Sequence, residues 1–377
     1  MRKKIIDLLK KSRLRVLIFL SMRLHKKHIG QAREWADLKD RLDLFLREHG
    51  NDRLSLEAYS IQSGDEKFVG AVNCSDEMVC FIPNSSFKIM TMHYLEGNLE
   101  QWGDIPGGSF KWTGGGCYNN SIYAFPRSSN YLLKIDVFRK DTEMIDLHTN
   151  YRDEHHYGGV LVDDGCVYQP PRDCDFMQVI DLNRNIVRRI YVTPRIFRLK
   201  LRYCGSVAHP NGYIYFIPER HERVIKFNPT SGRFDFIGDF IEECMVFGPA
   251  IAADGNIYGF SLYNGILEIN TVADSVKMIK TNIKFGCYGT KLGINGRLYG
   301  IPGESEFIWE YDIKTGQIKT PGTRLPSKKA KCAGGATSRY GDIFTAPAFG
   351  SEIYKIGFQN REKIPDDIYR WFFSDNY

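Results

Sequence analysis

From about residue 66 to residue 358 the chain restates one short pattern seven times, and this repetition constrains the fold more than any other feature. Three copies are clear: Tyr203–Gly238, Val246–Lys280 and Cys287–Thr320. Aligned on a leading glycine, the units start at Gly70, Gly158, Gly205, Gly248, Gly289 and Gly334, with Thr113 in the remaining copy. Their spacing of 41 to 47 residues is the period of a propeller or a solenoid.

The residues inside each unit choose between those two. Asp164-Gly165, Asn211-Gly212, Asp254-Gly255 and Asn295-Gly296 supply the positive φ angles of tight hairpins. A β-prone pair then follows, as in Val167-Tyr168, Ile214-Tyr215, Ile257-Tyr258 and Leu298-Tyr299. Pro126, Pro171, Pro218, Pro302 and Pro347 end that strand, because proline cannot continue a ladder. A third strand closes on an Ile-Asp or equivalent, and a turn such as Ser231-Gly232 or Thr315-Gly316 leads to a fourth. The apolar period is two, and helical spacing is missing between strands. The expected fold is all-β: a seven-bladed β-propeller of four-stranded antiparallel blades over residues 51–358. The last unit lacks its outer strand, and Arg53–Ser60 is the expected replacement, which would close the ring without open edges.

The units, read roughly as DGxIYxxxxxxxxVxxID..TG, resemble the broad group of kelch-like, NHL-like and streptogramin-lyase-like propellers. The resemblance covers about residues 66–358 and implies the fold. That group includes enzymes and plain binding scaffolds, and none of its catalytic residues transfers to a position here.

Flanking segments differ from the repeats. Residues 1–50 read as a basic helical extension and residues 359–377 as an aromatic tail. Residues 1–29 hold ten Lys and Arg against the single acid Asp7, which exceeds the whole chain's net charge of +6, so the rest is slightly acidic. The apolar run Val16–Leu20 is far too short to span a bilayer. Three roles remain open for this arm: a helix docked on the propeller or a partner, a basic helix on an anionic membrane surface, or nucleic-acid contact. In Gln31–Glu48, Trp35, Leu38, Leu42 and Phe45 recur at helical spacing, and Gly50 is a natural stop. The tail's Ile368, Tyr369, Trp371, Phe372 and Phe373 should cap the propeller or bind a partner. Nine cysteines without a Cys-x-x-Cys pair point to reduced thiols in a cytoplasmic protein, peripheral to a membrane if the arm binds one.

Ligands of a propeller are expected at the channel mouth, on the face that carries the second-to-third-strand loops and the blade-to-blade loops. Two blade-to-blade stretches there are basic and free of acids, one containing Arg198 and Arg202, the other Arg324 and Lys331. The second-to-third-strand loops add Arg127, Arg172, Arg220 and His221, and Asp173, Glu219, Glu222, Glu304 and Glu306 offset them. With His155 and His156 from the Asp153–His156 run, Arg198, Arg202, Arg324, Lys331, Arg172 and Arg220 are the expected anion-recognising set. Neither a cofactor nor a metal is expected. The expected function is a non-catalytic binding or scaffold propeller for an anionic ligand or a protein partner. The alternative is a lyase or hydrolase acting on an anionic small molecule or acidic glycan. Nucleic acid is not an expected partner, because it would need aromatic platforms between the basic loops, and Phe197 and Tyr203 are only a thin version of that.

Overall fold

The computed structural model describes residues 34–50, 54–61, 67–149, 155–192, 200–220, 222–322, 324–325, 331–360 and 362–374, with His155 described in its backbone alone. The arm over residues 1–29, together with Arg53 and Arg198, lies outside the described residues. Seven antiparallel sheets follow one another, each running from an inner to an outer strand, and the fourth is extended beyond its inner strand by the short strands Pro171–Cys174 and His155–His156. Blades 1 and 2 run from Phe68 to Trp102 and from Trp112 to Asp146. Blades 3 and 4 occupy Val160 to Tyr191 and Leu201 to Ile241. Blades 5 and 6 occupy Ala250 to Lys284 and Cys287 to Lys319. Blade 7 has three strands between Cys332 and Gly357, and its fourth is Ser55–Ser60. That strand pairs antiparallel with Glu352–Gly357, from Ser55 opposite Gly357 to Ser60 opposite Glu352. The ring therefore closes through its N-terminal strand.

Two local devices write the repeat into the backbone. The first joins the Asp or Asn of the first hairpin to the tyrosine four residues on. The hydroxyls of Tyr168 and Tyr258 donate to Asp164 (3.1 Å) and Asp254 (2.8 Å), while Asn211 and Asn295 donate to Tyr215 (2.9 Å) and Tyr299 (2.8 Å). The second is a side-chain turn after the third strand. Asp136, Asp181, Asn228, Asn270 and Asp312 each accept backbone N–H bonds from the residues two and three places on. Such an oxygen satisfies turn donors that no strand reaches.

The leading glycine has a steric cause. The inner strand bulges there, with register shifts between Phe68 and Ala71, Trp112 and Gly115, Cys287 and Thr290, and Cys332 and Gly335. Adjacent inner strands approach at this bulge, so a Cβ on Gly70 would lie 2.9 Å from Gly114 Cα. The shared register also corrects one assignment. In blade 2 the equivalent residue is Gly114, with φ 68°, and Thr113 stands one place before it.

One face, carrying the first-to-second-strand turns, is covered by both ends of the described chain. Residues 34–49 form a helix that buries Leu38, Leu42 and Phe45 in the largest core cluster, which also holds residues of blades 4 to 7. Trp35 meets His209 edge-on at 4.7 Å and stacks on Phe372 at 5.8 Å. The tail turns at Asp366–Ile368 and continues as a single π-helical turn over Tyr369–Phe373, burying Tyr369, Phe372 and Phe373. Tyr369 donates to the Thr337 carbonyl of blade 7, and Arg370 pairs with Asp163 of blade 3. A cavity of about 290 Å³, lined in part by Val72, Leu161, Ala208 and Trp371, separates the tail from the inner strands. Among the described residues no helix is long and apolar enough to cross a membrane.

Candidate functional site

The opposite face bears the channel mouth. Because each inner strand enters the ring there, the residue just before each leading glycine forms a ring around the axis. That ring is Val69, Thr113, Tyr157, Cys204, Phe247, Tyr288 and Ala333. It is lopsided: aromatic residues stand on blades 3, 5 and 6, and smaller ones on blades 1, 2, 4 and 7. Tyr157 and Phe247 rings are 5.3 Å apart, Phe247 and Tyr288 rings 5.0 Å, and Cys204 packs with this row.

Two arginines close on the same tyrosine. The Arg127 guanidinium, from the second-to-third-strand loop of blade 2, lies 4.5 Å from the Phe110 ring and 4.7 Å from the Tyr157 ring. Arg172, from the equivalent loop of blade 3, lies 4.9 Å from Tyr157. Cation and ring thus alternate from the rim inward. A guanidinium on an aromatic face contributes about 0.5–2 kcal/mol, more as water is excluded. Arg172 also approaches buried Glu219 of blade 4 at 3.1 Å. Among the described residues Arg127 makes no direct ion pair, although the Glu219 carboxylate acts on it from further away, and the Nη1 of Arg172 is buried without an acceptor. Burial pushes the Arg127 pKa down and the Tyr157 phenol up. Arginine remains charged under such a shift because its ordinary value is so high. Phe110 itself holds a left-handed φ of 57°, a costly setting for a bulky side chain that persists only where its surroundings impose it.

Of the expected set, only Arg172 belongs to this stack. Arg202 donates from Nε to Asp173 (2.8 Å), and Arg324 donates from Nε to Glu306 (2.7 Å). Those acids come from second-to-third-strand loops of the preceding blades, so the acid-free stretches are neutralised across blades. Arg220 is exposed and reaches the Tyr263 hydroxyl at 3.4 Å. Lys331 is not a rim cation: it is 2% exposed, its ammonium donates to the Ser305 carbonyl, and burial lowers its pKa. His156 is buried, with Nδ1 2.8 Å from the Pro170 carbonyl and its ring edge-on to Phe176 at 5.5 Å. The backbone of His155 pairs with Arg172, as His156 does with Pro171. Arg202 and Lys331 therefore make separate local contacts. Among the described residues no three His, Cys, Asp or Glu side chains gather as a metal site.

Phe110, Tyr157, Phe247 and Tyr288 were missed by reading charge alone. The signal for three of them was present, since Tyr157, Phe247 and Tyr288 each precede a leading glycine.

No family of known proteins matches the sequence, and the curated proteins give no match. The fold, however, superposes on streptogramin B lyase with a TM-score of 0.69 at 14% identity, over 81% of this chain and 98% of that one. A catalytically inactive virginiamycin B lyase from Staphylococcus aureus with quinupristin gives 0.68 at 14% identity, over 81% and 99%. The likeness is one of fold. This seven-bladed propeller shares its architecture with those lyases, and its mouth has to be read from its own residues.

Proposed function

We propose that the chain is a binding propeller whose mouth takes an anionic group between Arg127 and Arg172. The observation that carries this reading is the Arg127 guanidinium, fixed between Phe110 and Tyr157 and without a direct ion pair among the described residues. Two forks of N–H donors that meet at one ring suit a carboxylate or a phosphate, which each can grip through paired hydrogen bonds. The reading as a binder rather than a catalyst is supported by the same chemistry. Arginine holds its proton at neutral pH and supplies neither a base nor a nucleophile, and the neighbouring Glu219 is engaged by Arg172. A cytoplasmic setting fits the free thiols, and the basic arm over residues 1–29 supports a tether to an anionic membrane or a partner.

Calorimetry with inorganic phosphate, glucuronic acid and a short polyuronate tests the site. Arg127→Ala should weaken binding roughly 10- to 100-fold, as expected for losing charge-assisted hydrogen bonds. Arg202→Ala should leave affinity unchanged, because that residue is paired with Asp173 outside the stack. Absence of binding by the parent chain, or equal affinity after Arg127→Ala, would sink the reading.

A further inference from the structure

On the mouth face, three successive blades each present a phenylalanine to solvent. Phe349 of blade 7 is 56% exposed, Phe87 of blade 1 is 56% exposed, and Phe110, at the entry to blade 2, is 45% exposed. Phe349 and Phe110 carry cations against their rings, Lys67 at 4.8 Å and Arg127 at 4.5 Å, while Lys111, 5.8 Å from Phe87, is buried and donates to two backbone carbonyls. Chance exposure of single apolar residues needs no explanation, but three aromatics at consecutive positions of one rim form an ordered patch. Among the described residues Lys67 makes its close contact with the Phe349 ring and not with a carboxylate. The rim thus carries three aromatic groups along an arc over blades 7, 1 and 2, with a positive group at each end.

We infer that this arc is a platform for single-stranded nucleic acid, with bases stacking on Phe349, Phe87 and Phe110 and phosphates running beside Lys67 and Arg127. The ring type selects this occupant among polyanions. Phenylalanine offers a flat apolar face without a hydroxyl or N–H to hydrogen-bond a sugar, and every base has a complementary π-face. Sequence-independent stacking with a salt-dependent phosphate term follows from the same parts. Protein contributions are modular: the rings supply stacking, while Lys67 and Arg127 supply charge.

Arg127 is shared with the mouth, so the test uses Phe87 and Phe349, which the mouth site does not include. Binding of a fluorescent oligothymidylate by the full chain is followed by anisotropy across a salt series, with phosphate calorimetry on the same variants. Phe87→Ala and Phe349→Ala should each weaken oligothymidylate binding roughly 5- to 150-fold, the range for one lost base–ring stack, without altering the salt slope. Lys67→Ala should lower that slope by about 0.7, the value for one phosphate contact on a single strand. Phosphate binding should be retained in both phenylalanine variants, so that a failed rim and a failed mouth give different patterns. No oligothymidylate binding by the parent, or unchanged affinity in both phenylalanine variants, overturns the inference. So does loss of affinity in those variants for an acidic polysaccharide or for phosphatidylserine vesicles with none for the oligonucleotide.

Discussion

His209 sits where blade 4, blade 5 and the helix over residues 34–49 meet. Its Nδ1 accepts the Asn211 N–H at 3.1 Å, which leaves the proton on Nε2 to donate to the Gly255 carbonyl at 3.0 Å. Both ring nitrogens are thereby satisfied in the neutral form. Burial lowers its pKa to about 4, and a second proton would oppose the Asn211 N–H. The folded value lies below the ordinary value of about 6.5, so the unfolded chain takes up the proton first on acidification. The contribution is fully present above about pH 6.5 and is lost as pH falls toward 4, by about 3 kcal/mol in all. Urea unfolding at pH 7.5, 6 and 5 should show this loss in the parent and a shallower one in His209→Gln. Identical acid slopes would assign the acid sensitivity to other groups. Elsewhere too, single residues divide by whether their partner is near in sequence. The Tyr168–Asp164 and Tyr258–Asp254 bonds lie within one hairpin, so the motif that makes them was readable. The Arg202–Asp173 and Arg324–Glu306 pairs bridge separate loops, which charge counting along the chain cannot see.

Between elements, the blades are joined by lysines that reach backward. Lys111, at the entry to blade 2, donates to the Ser86 and Pro106 carbonyls (2.8 and 2.6 Å), and Lys331, at the entry to blade 7, donates to the Ser305 carbonyl. Ser86 and Ser305 occupy corresponding loops of the preceding blades and make matching turns with Lys88 and Phe307. Lys67 holds the same place before blade 1, yet its ammonium lies over Phe349 instead. Lys331→Met keeps the aliphatic stem and strands a buried carbonyl, so it should cost about 1–3 kcal/mol by urea unfolding. Lys67→Met removes only a cation–ring contact at a partly exposed site and should cost no more than about 1 kcal/mol. Equal losses would show that the backward reach does not join the blades. The repeat made the blades and the closing strand legible, because each turn and strand is specified within a few residues. The site was legible only in part: Arg127 and Arg172 stood out as loop cations, but their meeting at Tyr157 is set by how neighbouring blades are angled about the axis.

At the scale of the molecule, charge is divided unevenly. The arm over residues 1–29 carries a positive excess larger than that of the whole chain, and the remainder is slightly acidic. Removing residues 1–29 should leave the propeller folded, with its urea midpoint unchanged, while abolishing sedimentation with phosphatidylserine vesicles at low salt. Undiminished sedimentation of the shortened chain would exclude the arm as the tether. The meeting of Trp35 with Phe372 has one more consequence. Entry and exit of the described chain share a single face, so the disc has a back and a front. The helix over residues 34–49 and the turn over Tyr369–Phe373 close the back, and the stacked arginines lie on the side left open. The fold thus stoppers one end of its own channel with described segments of its own chain, and only the other end is left to receive whatever arrives.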